Sequence, residues 1–236
     1  MPGYILHLTA AKMLLELLPK ASYLCQDPKE RNDFYAGCLL PDTVKDKADS
    51  HFRNPKYKEQ MIEYPDLSMF CEKYGVLLKD SSCFGYYFHL YVDYRFYHDY
   101  LPSILEFLDE DGNQVTKRDQ VLYIYMKQQK RKMPRKEFYT DEFYYGDYTR
   151  MNTYLVEKYD LPVSLDLEIS NPGIEEVDYK DLKNVMEELK GYLEVPSAMA
   201  EELQVFNMED VLSFLEKIAF EFKIKQYLKI HPENVG

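Results

Sequence analysis

Apolar residues return at three- and four-residue intervals through most of the chain, the spacing that gathers them on one face of an α-helix. Ile5, Leu8, Ala11, Leu15 and Leu18 predict a largely buried helix over residues 4–18, closed by Pro19. Residues 29–40 predict a second helix running into GCLLPD, where Pro41 marks the stop. The polar stretch TVKDKADSHFRNPKYKEQ is expected as a surface loop. PDLSMFCEKYGVLL and CFGYYFHLYVDYRFYHDYLPSILEFL predict helices, with Pro102 bending or splitting the longer one. DEDGNQ at 109–114 reads as a turn. Residues 117–130 and roughly 141–158 predict further helices, joined by KQQKRKMPRK as a solvated basic face. LPVSLDLEISNPGIEEV is a connection, and DYKDLKNVMEELKGYL and MEDVLSFLEKIAFEFKIKQYL close the chain as amphipathic helices. Alternation with period two is nowhere sustained, so the predicted fold class is all-α. Residues 1–160 form a helical domain in this reading, and 161–236 a helical extension packed on it as one unit.

Composition narrows the partners. The 236 residues carry 41 acidic against 29 basic groups, a net charge of −12, which argues against nucleic acid or an anionic membrane as the main partner. A small phosphorylated substrate stays open, because a bound metal reverses the local field. The 23 Tyr and 13 Phe, without Trp, suit a wet cleft as well as a core. Cys25, Cys38, Cys71 and Cys83 form no Cys-x-x-Cys pair and no disulfide framework. The start MPGYILHLTAAKMLLELLPK lacks a basic n-region and carries His7 and Lys12 in its apolar run, so no cleaved signal peptide is expected. No apolar window reaches the ~18 residues of a membrane span, and the expected location is cytoplasmic.

Candidate chemistry concentrates early. His89 and Asp93 lie four residues apart, which on a helix places them on one face about 6 Å apart. Such a pair can grip one cation, and equally reads as a hydrogen-bonded pair on a half-buried helix. His7 sits on the predicted core helix, where an unpaired imidazole is costly. Asp42 follows GCLLP, and His51 ends the polar loop in DSHF. Each has an ordinary explanation singly; together they point to a metal site.

LHLTAAKMLLELL, GCLLPD, SHF and FGYYFHLYVD occur in the order found in the bacterial zinc-dependent phospholipase C family, which shares its fold with the single-strand-specific nucleases of fungi and plants. The chain resembles that family over about residues 1–100. The resemblance implies a multi-helix bundle in which Asp42, His51, His89 and Asp93 hold one zinc. It further implies that Asp93 bridges to a second zinc held with His7 and the N-terminal amine, a role falling to Met1 or Pro2. The family's third metal uses a histidine six residues after the bridging aspartate, where this chain has Asp99 with His98 beside it, and a later His-x-x-x-Glu that this chain lacks. His98 and Asp99 are therefore possible ligands, and Asp141, Glu142 or Asp147 could stand in for the missing pair.

The implied activity is hydrolysis of a phosphoester by a metal-activated water, with Asp42 accepting its proton. Zinc is the first expectation, in one or two ions; imidazole and carboxylate also suit Mn, Fe or Ni. Two rival readings remain: a catalytically reduced helical scaffold retaining a metal site, and a phosphohydrolase built on the His98–Asp99 doublet.

Overall fold

The computed structural model describes residues 3–231. Its first half runs α1 (Tyr4–Leu17), the single turn α2 (Tyr23–Gln26), α3 (Pro28–Gly37), the short turn α4 (Lys47–Ser50), α5 (Leu67–Tyr74) and α6 (Ser81–Arg95). Aspartates start four of these helices by accepting backbone N–H groups: Asp27 on α3, with Pro28 at its first position, Asp46 on α4, Asp66 on α5 and Asp80 on α6. α1 is buried over most of its length, as its apolar spacing predicts. α3 stops at Gly37, ahead of Pro41, which instead opens a 3-10 turn over Leu40–Thr43. The expected surface loop 43–60 contains α4 and dips inward at Ser50 and His51.

The long aromatic helix is split. α6 widens into a π turn over Phe96–Tyr100, α7 (Leu101–Ile104) follows, and the chain then leaves helix altogether. β1 (Leu105–Leu108), β2 (Tyr123–Met126) and β3 (Arg131–Pro134) form an antiparallel sheet in that order, with Phe107 opposite Ile124 and Ile124 opposite Met133. The helix expected over 117–130 is thereby corrected to a strand, and the protein is mostly helical, as the sequence predicts, with one small sheet. Within VLYIYM, Ile124 and Met126 point to the core while Tyr123 and Tyr125 are half-buried, a short period-two pattern that aromatic and β-branched residues favour in strands. The basic run is exposed as expected, but as the β2–β3 hairpin, with Lys130 left-handed at φ 50°. Pro134 lies on the edge strand, where the sheet needs no further N–H donor.

After the turn α8 (Arg135–Phe138) come α9 (Tyr144–Tyr159), an irregular connection, α10 (Leu182–Gly191), α11 (Met208–Phe222) and the final turn α12 (Leu228–Ile230). α11 packs along α1 and touches α6. Its Phe222 ring meets Phe88 at 4.7 Å and Tyr91 at 4.9 Å, so residues beyond 160 complete the core around the N-terminal helices. No helix among the described residues is long and apolar enough to cross a membrane.

α3 and α6 approach most closely at two glycines. A Cβ on Gly37 would stand 2.1 Å from the Ser82 carbonyl oxygen, and one on Gly85 2.1 Å from that of Phe34. Only hydrogen fits at either position. This backbone-to-backbone contact sets α6 in place one turn before His89.

Candidate metal centre

Four segments deliver five side chains to one buried point. α1 brings His7, the 3-10 turn brings Asp42, the residue after α4 is His51, and α6 supplies His89 and Asp93. His7, His51, His89 and Asp93 are at most 1% exposed, and Asp42 is 6% exposed.

Hydrogen bonds on the far side of the rings fix which nitrogen faces inward. His89 Nδ1 lies 2.7 Å from the Cys38 carbonyl oxygen, which can only accept, so Nδ1 carries the proton and Nε2 a lone pair. That carbonyl is among those orphaned at the end of α3. Ser50 Oγ donates to the Pro41 carbonyl at 2.8 Å and so accepts from His51 Nδ1 at 3.0 Å. His51 Nε2 thus also carries a lone pair. The two Nε2 atoms face each other at 3.2 Å with no proton between them. Such an arrangement suits a cation between them.

The other donors surround the same point. His51 Nε2 is 3.5 Å from Asp42 Oδ1 and 3.4 Å from Asp93 Oδ2, and His89 Nε2 is 3.8 Å from Asp93 Oδ2. Ligand atoms about 2.1 Å from one tetrahedral ion lie about 3.4 Å apart, so the spacing fits a single small cation. On the other side of Asp93, His7 Nε2 approaches Oδ1 at 3.3 Å, misaligned for a hydrogen bond. Both His7 nitrogens and both Asp93 oxygens are consequently buried without a hydrogen-bonding partner. The His7 and His89 rings stack 3.6 Å apart at 9°, a contact suited to neutral imidazoles. Two groups, His7–His89–Asp93 and Asp42–His51–His89, converge closely enough to hold a metal ion.

The titration of these groups agrees with that role. Burial first, then the proximity of His7, depresses His89 to about 3, leaving it neutral and able to ligate. Burial pushes Asp93 up, but His7, His89 and His51 outweigh it and hold the carboxyl at about 2. Asp42 is likewise held well below the usual carboxylate range: burial opposes this, and His51, His89 and the Lys47 ammonium prevail. Lys47 Nζ contacts the Asp42 oxygen that faces His51.

His98 and Asp99 stand apart. They pair with each other at 2.6 Å, Asp99 also binds Arg95, and His98 stacks on Tyr94 at a largely exposed position. Neither belongs to the converging groups among the described residues. Asp141 and Glu142 are exposed. Asp147 is fully buried, but its oxygens accept the backbone N–H groups of Gln204, Val205 and Phe206 and pair with Arg150. Met1 and Pro2, which the resemblance assigns to the second ion, lie outside the described residues.

Three residues missed in the sequence reading belong to the surroundings. Tyr97, Tyr144 and Tyr148 are phenols raised above their ordinary value, chiefly by burial and in part by the Asp93 charge, and Tyr148 donates to Tyr144 at 2.9 Å. Tyr97 and Tyr144 also line a cavity of about 1030 Å³ beside the sheet. Tyrosine is so abundant here that no spacing could have singled them out.

Against known proteins, the chain matches no family model, no curated protein and no solved structure at a significant level. Fold and site define a mostly helical protein with a buried His/Asp cluster that can hold a metal ion.

Proposed function

We propose that the protein is a metal-dependent phosphoester hydrolase similar to the zinc-dependent phospholipase C family, with zinc its first-choice ion. The observation that carries this reading is the pair of deprotonated Nε2 atoms facing each other at 3.2 Å beside two buried carboxylates. A divalent ion supplies Lewis acidity there, lowering the pKa of water and neutralising charge on phosphoryl oxygens. Asp42, His51, His89 and Asp93 would hold a first ion, and His7 with Asp93 would contribute to a second.

The chain's own groups perform the remaining work. Cys38 and Ser50 keep the imidazoles in the ligating tautomer. Asp42 is ionised, and with Oδ1 engaged by Lys47 its Oδ2 accepts the proton of the attacking water. Tyr97 and Tyr144 are protonated donors on the wall of the adjoining cavity, suited to phosphoryl oxygens. A phosphoester also suits that cavity's charge: Arg53, Arg118, Arg135 and Lys136 outnumber Glu63 and Asp119 in a chain of net charge −12.

A second reading, a structural metal in a reduced scaffold, is favoured by one fact: all five ligands are almost fully buried, and structural sites are closed whereas catalytic ones keep an open position. Elemental analysis after zinc loading, combined with hydrolysis of bis(p-nitrophenyl) phosphate, separates the two. The hydrolase reading expects bound zinc and turnover, both lost in Asp93→Ala. Zinc without turnover under varied metals and pH favours the scaffold, and absence of zinc sinks both.

A further inference from the structure

We propose that the cavity beside the metal cluster is a second anion site, so that the substrate is a small organic molecule bearing two phosphate groups. This rests on the reading above for the first phosphate only.

The two ends of the cavity differ in chemistry. At one end lie Tyr144 and Tyr97, the latter one helical turn beyond Asp93. At the other, the β1–β2 connection contributes Arg118, and α8 contributes Arg135 and Lys136. Arg118 is neutralised by Glu63. Arg135 is different: its NH1 donates to the Arg118 carbonyl at 2.7 Å and its backbone N–H to the Leu122 carbonyl at 2.9 Å. The guanidinium is therefore anchored by a neutral carbonyl, and Arg135 forms no ion pair with a carboxylate among the described residues. The exposed Lys136 beside it likewise forms no ion pair among the described residues.

A fixed guanidinium with unused donors is preorganised for bidentate contact with phosphate. In a protein of net charge −12, leaving these cations uncompensated at a cavity mouth concentrates anions where the rest of the surface repels them. The volume of about 1030 Å³ lies at the large end of small-ligand sites, ample for a molecule spanning both ends. Tyr139 and Tyr145 line the space between and suit its uncharged body.

Calorimetric titration of the zinc-loaded protein with fructose 1,6-bisphosphate and with fructose 6-phosphate tests this. The bisphosphate is expected to bind roughly tenfold more tightly, one good charge-assisted pair being worth about 1.5–3 kcal/mol. In Arg135→Gln/Lys136→Gln the ratio is expected to collapse towards one. Lys136→Gln alone, an exposed change, lowers it partway and guards against misfolding of the double variant. Equal affinities in the parent protein, or a ratio that survives the double change, overturn the proposal. Bisphosphate preference without hydrolysis of either sugar phosphate leaves the anion site standing and removes the hydrolase reading. Monoester hydrolysis without that preference does the reverse.

Discussion

Asp147 shows how one residue can look like chemistry and act as structure. Its carboxylate is fully buried, yet every contact it makes is to backbone N–H groups of residues 204–206 or to Arg150. It pins the segment before α11 onto α9. Asp147→Ala strands those donors in an interior site, and unfolding is expected to become easier by about 3–5 kcal/mol. In a chain this long that is a melting temperature lower by roughly 10 °C, with bound metal unchanged. A loss below about 1 kcal/mol would mean that water replaces the carboxylate. His89 makes the opposite case: its outer nitrogen is satisfied by Cys38, and its inner one has no protein proton to accept.

At the level of elements, the α3–α6 contact at Gly37 and Gly85 links packing to the metal site. Gly85→Ala drives a methyl into the Phe34 carbonyl and must separate the helices, at a cost of about 3 kcal/mol. Because His89 follows one turn later, zinc affinity should fall roughly tenfold or more as well. A variant destabilised in chemical denaturation but with zinc affinity intact would show that α6 and the site are mechanically independent. Elements also show what sequence patterns can reveal. α1, α9 and α11 were legible because each buries a stripe repeated over several turns. His89–Asp93 was legible because a four-residue interval on a helix fixes geometry. The sheet was not: its strands are four residues each, and Tyr and Met suit either period when only about one helical turn's worth of sequence is available. The tautomers of His51 and His89 were equally hidden, because they depend on carbonyl and hydroxyl groups brought in by other segments.

For the whole molecule the cluster sets a pH limit. His89 is buried neutral, with its pKa near 3 when folded against an ordinary 6.5. The unfolded chain therefore binds the extra proton first, and stability is lost as pH falls below about 6.5, by up to about 1.4 kcal/mol per pH unit. Asp93, depressed to about 2 from 3.8, contributes stability above 3.8 that disappears as pH drops towards 2. Both act in the same direction over successive ranges. Metal-stripped protein is thus expected to melt at progressively lower temperature from pH 7 to pH 4, and His89→Gln should flatten the upper part of that slope. A parent curve level between pH 6.5 and pH 5 would contradict the neutral assignment of the buried ring.

Phe52, immediately after His51, sits in the left-handed region at φ 48°, a conformation that strains a bulky residue by about 1–3 kcal/mol. Its ring is clasped edge-on by Phe70 at 5.1 Å and Tyr74 at 6.1 Å, and its carbonyl accepts from Asp66 N–H at 2.9 Å. Aromatic packing therefore holds this turn. The lifetime of a bound ion then reflects how often a path to solvent opens, and an emptied cluster can be refilled without the surrounding chain having to fold again.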